Sequence, residues 1–402
     1  MNKPLNNNDS TSFLESPKVL FVLPETLTFG GGGETFALLL KAYLKKKRVN
    51  VVVSENVHKY QRETKSVTEH SQIYTDASVI RPEYLFYGHI HMPFFTQPFP
   101  SVKVLSRFDH NFLFCYRIPT RKFIADIKRL GLNVTFLFHG VTFETFSIRN
   151  INAWLFSQAN KLLLLFISRL INNSKIDIQV LNGYTKEVLT ALGIEEKRIS
   201  LVRLALEGRT FQPVRNDEVF LIAFLSRLEN RQKGIRRLVK LIRLLDKESL
   251  SNLRITLMGT GSSERMLRKK LINIRCVEIL GKVDEVTKSK ILSCSSLFLS
   301  TSNIEPFGLS ILEGLYFGLP CLTTPTSGPS YILSHDSSLG RISSFRSKSM
   351  VSDLVSFYNE WKDNKNDYFQ KRLNISCKAG RLFTTEPMLL ESSKNLKLLE
   401  GE

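Results

Sequence analysis

The chain has 402 residues, 43% of them hydrophobic and 23% charged, with a formal net charge of +19. That length accommodates two domains with a substantial core, and the balance excludes fibrous and wholly disordered chains. The charge predicts anionic partners, whether nucleic acid, phosphorylated substrates or an anionic membrane surface, without choosing among them.

Residues 1–17 are rich in Asn and Ser and lack an apolar signal-peptide core, so they read as a disordered tail of a cytoplasmic protein. The apolar run 18–23 is of the kind that fills the centre of a parallel sheet. After it come Gly30, Gly31, Gly32, Gly33 and Glu34, then a helix over 35–47 with Phe36, Leu39, Leu40, Tyr43 and Leu44 on one face. Strand, glycine loop and helix in that order bring backbone amides close to a ligand, although the spacing is not the dinucleotide fingerprint. Lys41 and the run Lys45, Lys46, Lys47 and Arg48 complement the helix dipole or, on a sharper reading, face a membrane. A second strand follows at 49–53.

Residues 58–114 are aromatic, with prolines at 82, 93, 98 and 100, and give no readable order of elements. Arg117, Arg121, Lys122, Lys128 and Arg129 form a second basic group around a helix at 122–130. A strand at 133–138 delivers His139 to its carboxyl end, where open parallel sheets place their ligands. The apolar segment 161–167 is far shorter than the roughly 20 residues of a spanning helix. Strands at 177–181 and 199–204 flank a helix at 185–192. The pattern then breaks over 206–216, which marks the hinge.

Beyond the hinge, strands at 219–225, 254–258, 277–280 and 297–300 alternate with helices at 234–245, 263–272 and 284–293. Such alternation predicts a parallel, Rossmann-like sheet with right-handed crossovers. A last helix spans 387–399, with Pro387 at its first position. The five cysteines, 115, 276, 294, 321 and 377, show no CxxC pair or metal spacing and read as reduced, mostly buried thiols.

The chemistry gathers where the strand 297–300 turns into a helix at 309–318. The turn holds Glu305 and Gly308, and a glycine there lets a ligand approach the unpaired amides that open the helix, from Phe307 and Gly308 to Leu309. Glu313 lies roughly 7 to 8 Å further along the axis, at about 1.5 Å per residue. Two carboxylates flanking an anion site suit a phosphate between two hydroxyl-rich groups, as in a nucleotide-sugar. Arg227, just after strand 219–225, and Lys233, at the next helix, can reach one diphosphate, unless they are merely solvated charges. Gly259 and Gly261 form a turn that leaves room for a nucleotide.

The spacing of Glu305 and Glu313, with Phe307 and Gly308 between and Gly318, Leu319 and Pro320 after, resembles the retaining glycosyltransferases of family four. The likeness is strong over 219–330 and faint over 18–40. It implies an α/β GT-B fold: two Rossmann-like domains facing each other across a cleft, with the last helix crossing back to the first. The corresponding division is 18–212 as acceptor domain, 213–382 as donor domain and 383–402 as returning helix. The resemblance further implies a UDP- or GDP-type sugar donor, a glycan or lipid-linked acceptor in polysaccharide biosynthesis, and no cofactor or metal. By the same resemblance Arg227, Lys233 and the amides around Gly31, Gly32, Phe307, Gly308 and Leu309 bind the diphosphate. Gly259, Gly261, Val283 and Glu313 hold the nucleoside, and His139 and Glu305 line the reaction centre. The linker departs from the family at Leu204 to Glu207, where many members have Asn-Gly-x-Asp. Nucleic acid is not an expected partner, because the basic residues do not interleave with aromatics as in RNA modules. The rival readings are a non-catalytic, basic surface-binding protein of the same fold, and a glycoside phosphorylase, for which no pyridoxal-phosphate lysine motif is present.

Overall fold

The computed structural model describes residues 18–23, 32–55, 99–115, 118–138, 151–202, 205–206, 211–248 and 250–393. The first sheet is built from β1 (Lys18–Leu23), β2 (Asn50–Glu55), β3 (His110–Cys115), β4 (Val134–Phe138), β5 (Ile176–Val180) and β6 (Ile199–Leu201). All pairings are parallel, in the order β2-β1-β3-β4-β5-β6. The crossovers carry α1 (Gly32–Lys46), α2 (Val102–Leu105), α3 (Arg121–Leu130), α4 (Ile151–Asn172) and α5 (Gly183–Ala191). Alternate residues of β1 serve opposite faces. Phe21 packs with Phe36, Leu40 and Leu44 of α1, whereas Leu20 and Val22 share a core with Ile124 and Ile127 of α3 and Leu164, Ile167 and Ile171 of α4. The two basic groups of the first half, on α1 and around α3, therefore lie on opposite faces of one sheet.

The second sheet comprises β7 (Phe220–Leu225), β8 (Leu253–Met258), β9 (Val277–Gly281), β10 (Leu297–Ser300), β11 (Cys321–Thr323) and β12 (Gly340–Ile342). It too is parallel, ordered β12-β11-β10-β7-β8-β9. Its helices are α6 (Asn230–Lys233), α7 (Ile235–Leu245), α8 (Glu264–Leu271), α9 (Glu285–Cys294), α10 (Leu309–Tyr316), α11 (Ser327–Ser334), α12 (Ser347–Asp363) and α13 (Lys365–Leu382). The last described helix, α14 (Thr385–Ser393), returns to the first sheet, where Gln179 Nε2 donates to Ser392 O at 2.9 Å and the Ala205 amide meets Met388 Sδ at 3.2 Å.

The stretch 211–216 is stitched to the second half. Phe211 stacks on Phe317 with ring centroids 4.0 Å apart, and the buried Arg372 donates to the carbonyls of Val214, Ser293 and Phe317. Burial pulls the Arg372 guanidinium down to about 10. The apolar run 161–167, unassigned from sequence, is the middle of the 22-residue α4. All five cysteines are free, but only Cys115 and Cys321 are buried, and Cys377 is exposed, so the expectation of mostly buried thiols is corrected.

Candidate functional site

The carboxyl ends of the two sheets meet at the turn between β10 and α10. Asn182, fully buried at the end of β5, caps α5 by accepting from the Thr185 amide at 2.8 Å, while its Nδ2 donates across to Pro306 O at 2.7 Å. One side chain thus finishes a helix of the first half and holds the turn of the second.

Glu305 sits in that turn, buried, with Oε2 2.5 Å from Lys233 Nζ and 3.4 Å from Ser302 Oγ. The two charged side chains are only 13% and 10% exposed, so the ion pair is largely shielded from water. Local chemistry fixes the approach. Gly234 closes α6 in the left-handed region at φ 66°, and a Cβ there would stand 2.1 Å from Thr301 O. The Gln232 carbonyl accepts from the amides of Asn303 and Ile304 at 2.7 and 3.1 Å, tying α6 to the turn.

Gly308 is the N-cap of α10, at φ 97°, a conformation that penalises any other residue. The ring of Phe307 is buried in the core, so this residue offers a ligand only its backbone. Leu309, half-buried, is the first residue of α10. The Gly328 amide donates to Glu305 O at 2.9 Å, and the Gly328 Cα lies so close that a Cβ would stand 2.3 Å from Phe307 Cα. The turn is clamped from three sides.

Glu313, on α10, does not join the Lys233 pair. Its Oε1 lies 3.3 Å from Lys288 Nζ of α9, and its Oε2 is buried with no hydrogen-bond partner among the described residues. Burial pushes the Glu313 carboxyl above the usual glutamate value, with Lys288 opposing. Burial also pulls on the Lys288 ammonium, but the Glu313 and Glu285 carboxylates outweigh it and leave it raised. An unpaired buried carboxylate oxygen is an acceptor waiting for a donor.

Arg227 is exposed, with Nη2 3.1 Å from Gln232 Oε1, next to Lys233 in the chain. Gly259 and Gly261 serve the same loop. A Cβ on Gly259 would stand 1.9 Å from Ser226 O and one on Gly261 2.6 Å from Leu228 O, so the space they leave is taken by the 226–228 backbone. The Leu228 amide donates to Thr260 O at 2.8 Å, which fixes where Arg227 emerges. Val283 is half-buried just after β9. Gly32 begins α1, while Gly31 and His139 lie outside the described residues.

Asn182, Ser302 and Lys288 were not singled out from sequence. Asn182 had a signal, since it ends a strand and precedes a helix as an N-cap residue does. The pairing of Lys288 with Glu313 joins two helices 25 residues apart and leaves no local mark.

Two parallel six-stranded sheets, joined through a buried asparagine at their carboxyl ends and bridged by a returning helix, form the GT-B fold, which the solved structures that follow share. In sequence, residues 209–371 match the family described as "Glycosyl transferases group 1", the group to which the spacing of Glu305 and Glu313 points. Among solved structures, Anabaena HepE in complex with UDP-glucose is similar at 16% identity and TM-score 0.62, over 94% of this chain and 99% of that one. Sucrose-phosphate synthase from Thermosynechococcus elongatus is similar at 13% identity and TM-score 0.65, over 96% and 99%. Granule-bound starch synthase 1 of Zea mays is 33% identical over 137 residues, 32% of this chain but only 21% of that protein. The chain thus spans about a fifth of the length of the curated relatives it matches. Among the described residues, no helix is long and apolar enough to cross a membrane.

Proposed function

We propose that this chain is a glycosyltransferase that moves a sugar from a UDP- or GDP-type donor to a hydroxyl of a glycan or lipid-linked glycan. The observation that carries this reading is the shielded Lys233–Glu305 pair beside the opening of α10, with the unpartnered Glu313 oxygen further along the same helix. In the free protein Glu305 acts as the counter-anion of Lys233. A donor diphosphate takes its place, held by Lys233, by Arg227 and by the amides from Gly308 onward, and Glu305 then accepts from hydroxyls of the transferred sugar. The Glu313 oxygen accepts from the ribose. The division between the two carboxylates follows from Glu305 being held by Lys233 beside the opening of α10, whereas Glu313, paired with Lys288 through one oxygen, keeps its other oxygen without a partner among the described residues.

In this reading the acceptor oxygen bonds to the anomeric carbon as the bond from that carbon to the diphosphate breaks. The acceptor's proton passes to the leaving phosphate oxygen. On the resemblance to family four, we take this as a same-face substitution with retention in which His139 lines the reaction centre. Fixed cations and amides aimed at the growing negative charge supply the electrostatic stabilisation that usually carries the largest share of catalysis. Metal is then dispensable.

Nucleotide release from UDP- and GDP-sugars, followed with and without EDTA, tests the proposal. Turnover of one donor that is indifferent to the chelator, with the product's anomeric configuration retained by proton NMR, is the expected result. Folded protein that binds donors without releasing nucleotide, with every acceptor class supplied, would favour the non-catalytic alternative. Turnover abolished by EDTA would remove the metal-independent step.

A further inference from the structure

The apolar run at the middle of α4 has no part in the donor site, yet among the described residues it is the most exposed apolar feature of the first half. Leu164, Ile167 and Ile171 are buried against the sheet, while Leu162, Leu165 and Phe166 are 55%, 50% and 70% exposed. Positions 162, 165, 166 and 169 fall on one helical face, with Arg169 at its end. Across Ile151–Asn172 there are two cations, Lys161 and Arg169, and no carboxylate. Beside it, α3 exposes Arg121, Lys122, Lys128 and Arg129, and its one carboxylate, Asp126, is paired with Arg129 at 3.1 Å.

We infer that this α3 and α4 face docks in the plane of an anionic lipid bilayer, with Phe166, Leu162 and Leu165 entering the boundary between headgroups and acyl chains. An apolar strip on a helix whose charged residues are the cations Lys161 and Arg169, beside the four exposed cations of α3, is the pattern of an interfacial helix, and anionic headgroups over an apolar layer satisfy both parts at once. A second copy of the chain would set these cations against each other. A spanning arrangement is excluded for α4 by its insufficient apolarity. The helix starts at the carboxyl edge of the sheet, where the two halves meet, so a docked α4 leaves the cleft opening close to the lipid. The basic run at the end of α1 lies across the sheet and cannot lie flat on the same surface. The inference bears on the lipid-linked acceptor proposed above but does not depend on the donor or on turnover.

The test uses the full chain and vesicles of phosphatidylcholine with and without roughly one third phosphatidylglycerol. Phe166→Trp supplies a probe at the point of entry, read as a difference from the parent chain. Expected are sedimentation with the anionic vesicles alone, a blue shift of the added tryptophan, quenching by brominated acyl chains, and release by salt. The triple change Leu162→Ser, Leu165→Ser and Phe166→Ser, whose positions are exposed, weakens sedimentation at least about tenfold. It should leave circular dichroism and donor turnover in detergent-free solution unchanged, so loss of lipid binding is separable from loss of the enzyme. Lys45→Glu, Lys46→Glu and Lys47→Glu together have the smaller effect. Absence of binding at low salt, binding that survives the triple serine change, or a solution dimer by light scattering that buries the tryptophan would each overturn the inference.

Discussion

Removing either member of the Lys233–Glu305 pair alone should destabilise the protein much more than removing both. At an effective dielectric of about 20, unit charges 2.5 Å apart attract by about 7 kcal/mol, an energy largely offset by the several kcal/mol needed to desolvate each ion. The intact pair is thus close to neutral for stability, but one member left behind in a site only 10–13% exposed lacks compensation. Lys233→Met and Glu305→Leu should each cost about 3 kcal/mol, whereas the double variant should lose far less than their sum. Urea denaturation of the four proteins gives the coupling energy, expected at about 5 kcal/mol, the two single losses together less a loss of about 1 kcal/mol in the double variant. Additivity within about 0.5 kcal/mol would refute the reasoning, because it would mean that the two charges do not share one shielded site. Donor affinity separates the second role of the pair, since all three variants should lose more than tenfold there, including the double variant that keeps its fold.

Other perturbations follow from the same geometry. Arg227→Ala should weaken nucleotide-sugar binding by about 1.5 to 3 kcal/mol by calorimetry, and unchanged affinity would remove Arg227 from the diphosphate site. Glu313→Gln should weaken free nucleoside diphosphate and donor alike, while Glu305→Gln should act mainly on the donor; equal losses for both ligands in both variants would reject that division. Asn182→Ala removes a helix cap, typically about 1 kcal/mol, and also the donor to Pro306 O; donor affinity should fall with it, and a stability loss with intact affinity would leave Asn182 a cap alone. Burial pulls the His110 imidazole from 6.5 to about 4, so below pH 6.5 the unfolded chain takes up a proton that the folded one refuses. Stability contributed at neutral pH should be lost progressively as pH falls from about 6.5 to about 4, by about 3 kcal/mol, and His110→Gln should flatten that slope in chemical denaturation.

The parallel strands were the most legible part of the chain, because a strand buried on both faces is written as a continuous apolar run. Lys18–Leu23 and Leu297–Ser300 are found with the same ends that their residues predict. The strand His110–Cys115 escaped because His110 and Asn111 are polar yet fully packed, His110 against Thr135 Oγ1 at 2.8 Å and Asn111 against backbone carbonyls. Helices α12 and α13 carry mixed polar surfaces, and their cores, Trp361 and Tyr368 against Phe220, form only when the chain closes. At the site, sequence order placed Glu305, Gly308 and Lys233 near strand ends, but it could not say that Lys233 meets Glu305 or that Glu313 meets Lys288. Those are choices between side chains 72 and 25 residues apart, made by the packing of α6 against the turn and of α9 against α10.

The central claim is a donor site built around Lys233, Glu305 and the opening of α10, and titration calorimetry with UDP, GDP and their sugars tests it most directly. One nucleoside diphosphate should bind the parent chain, its sugar should bind at the same site in competition, and Lys233→Met should weaken both more than tenfold. Binding of no nucleotide by the folded protein, or equal binding by the parent chain and Lys233→Met, would contradict it.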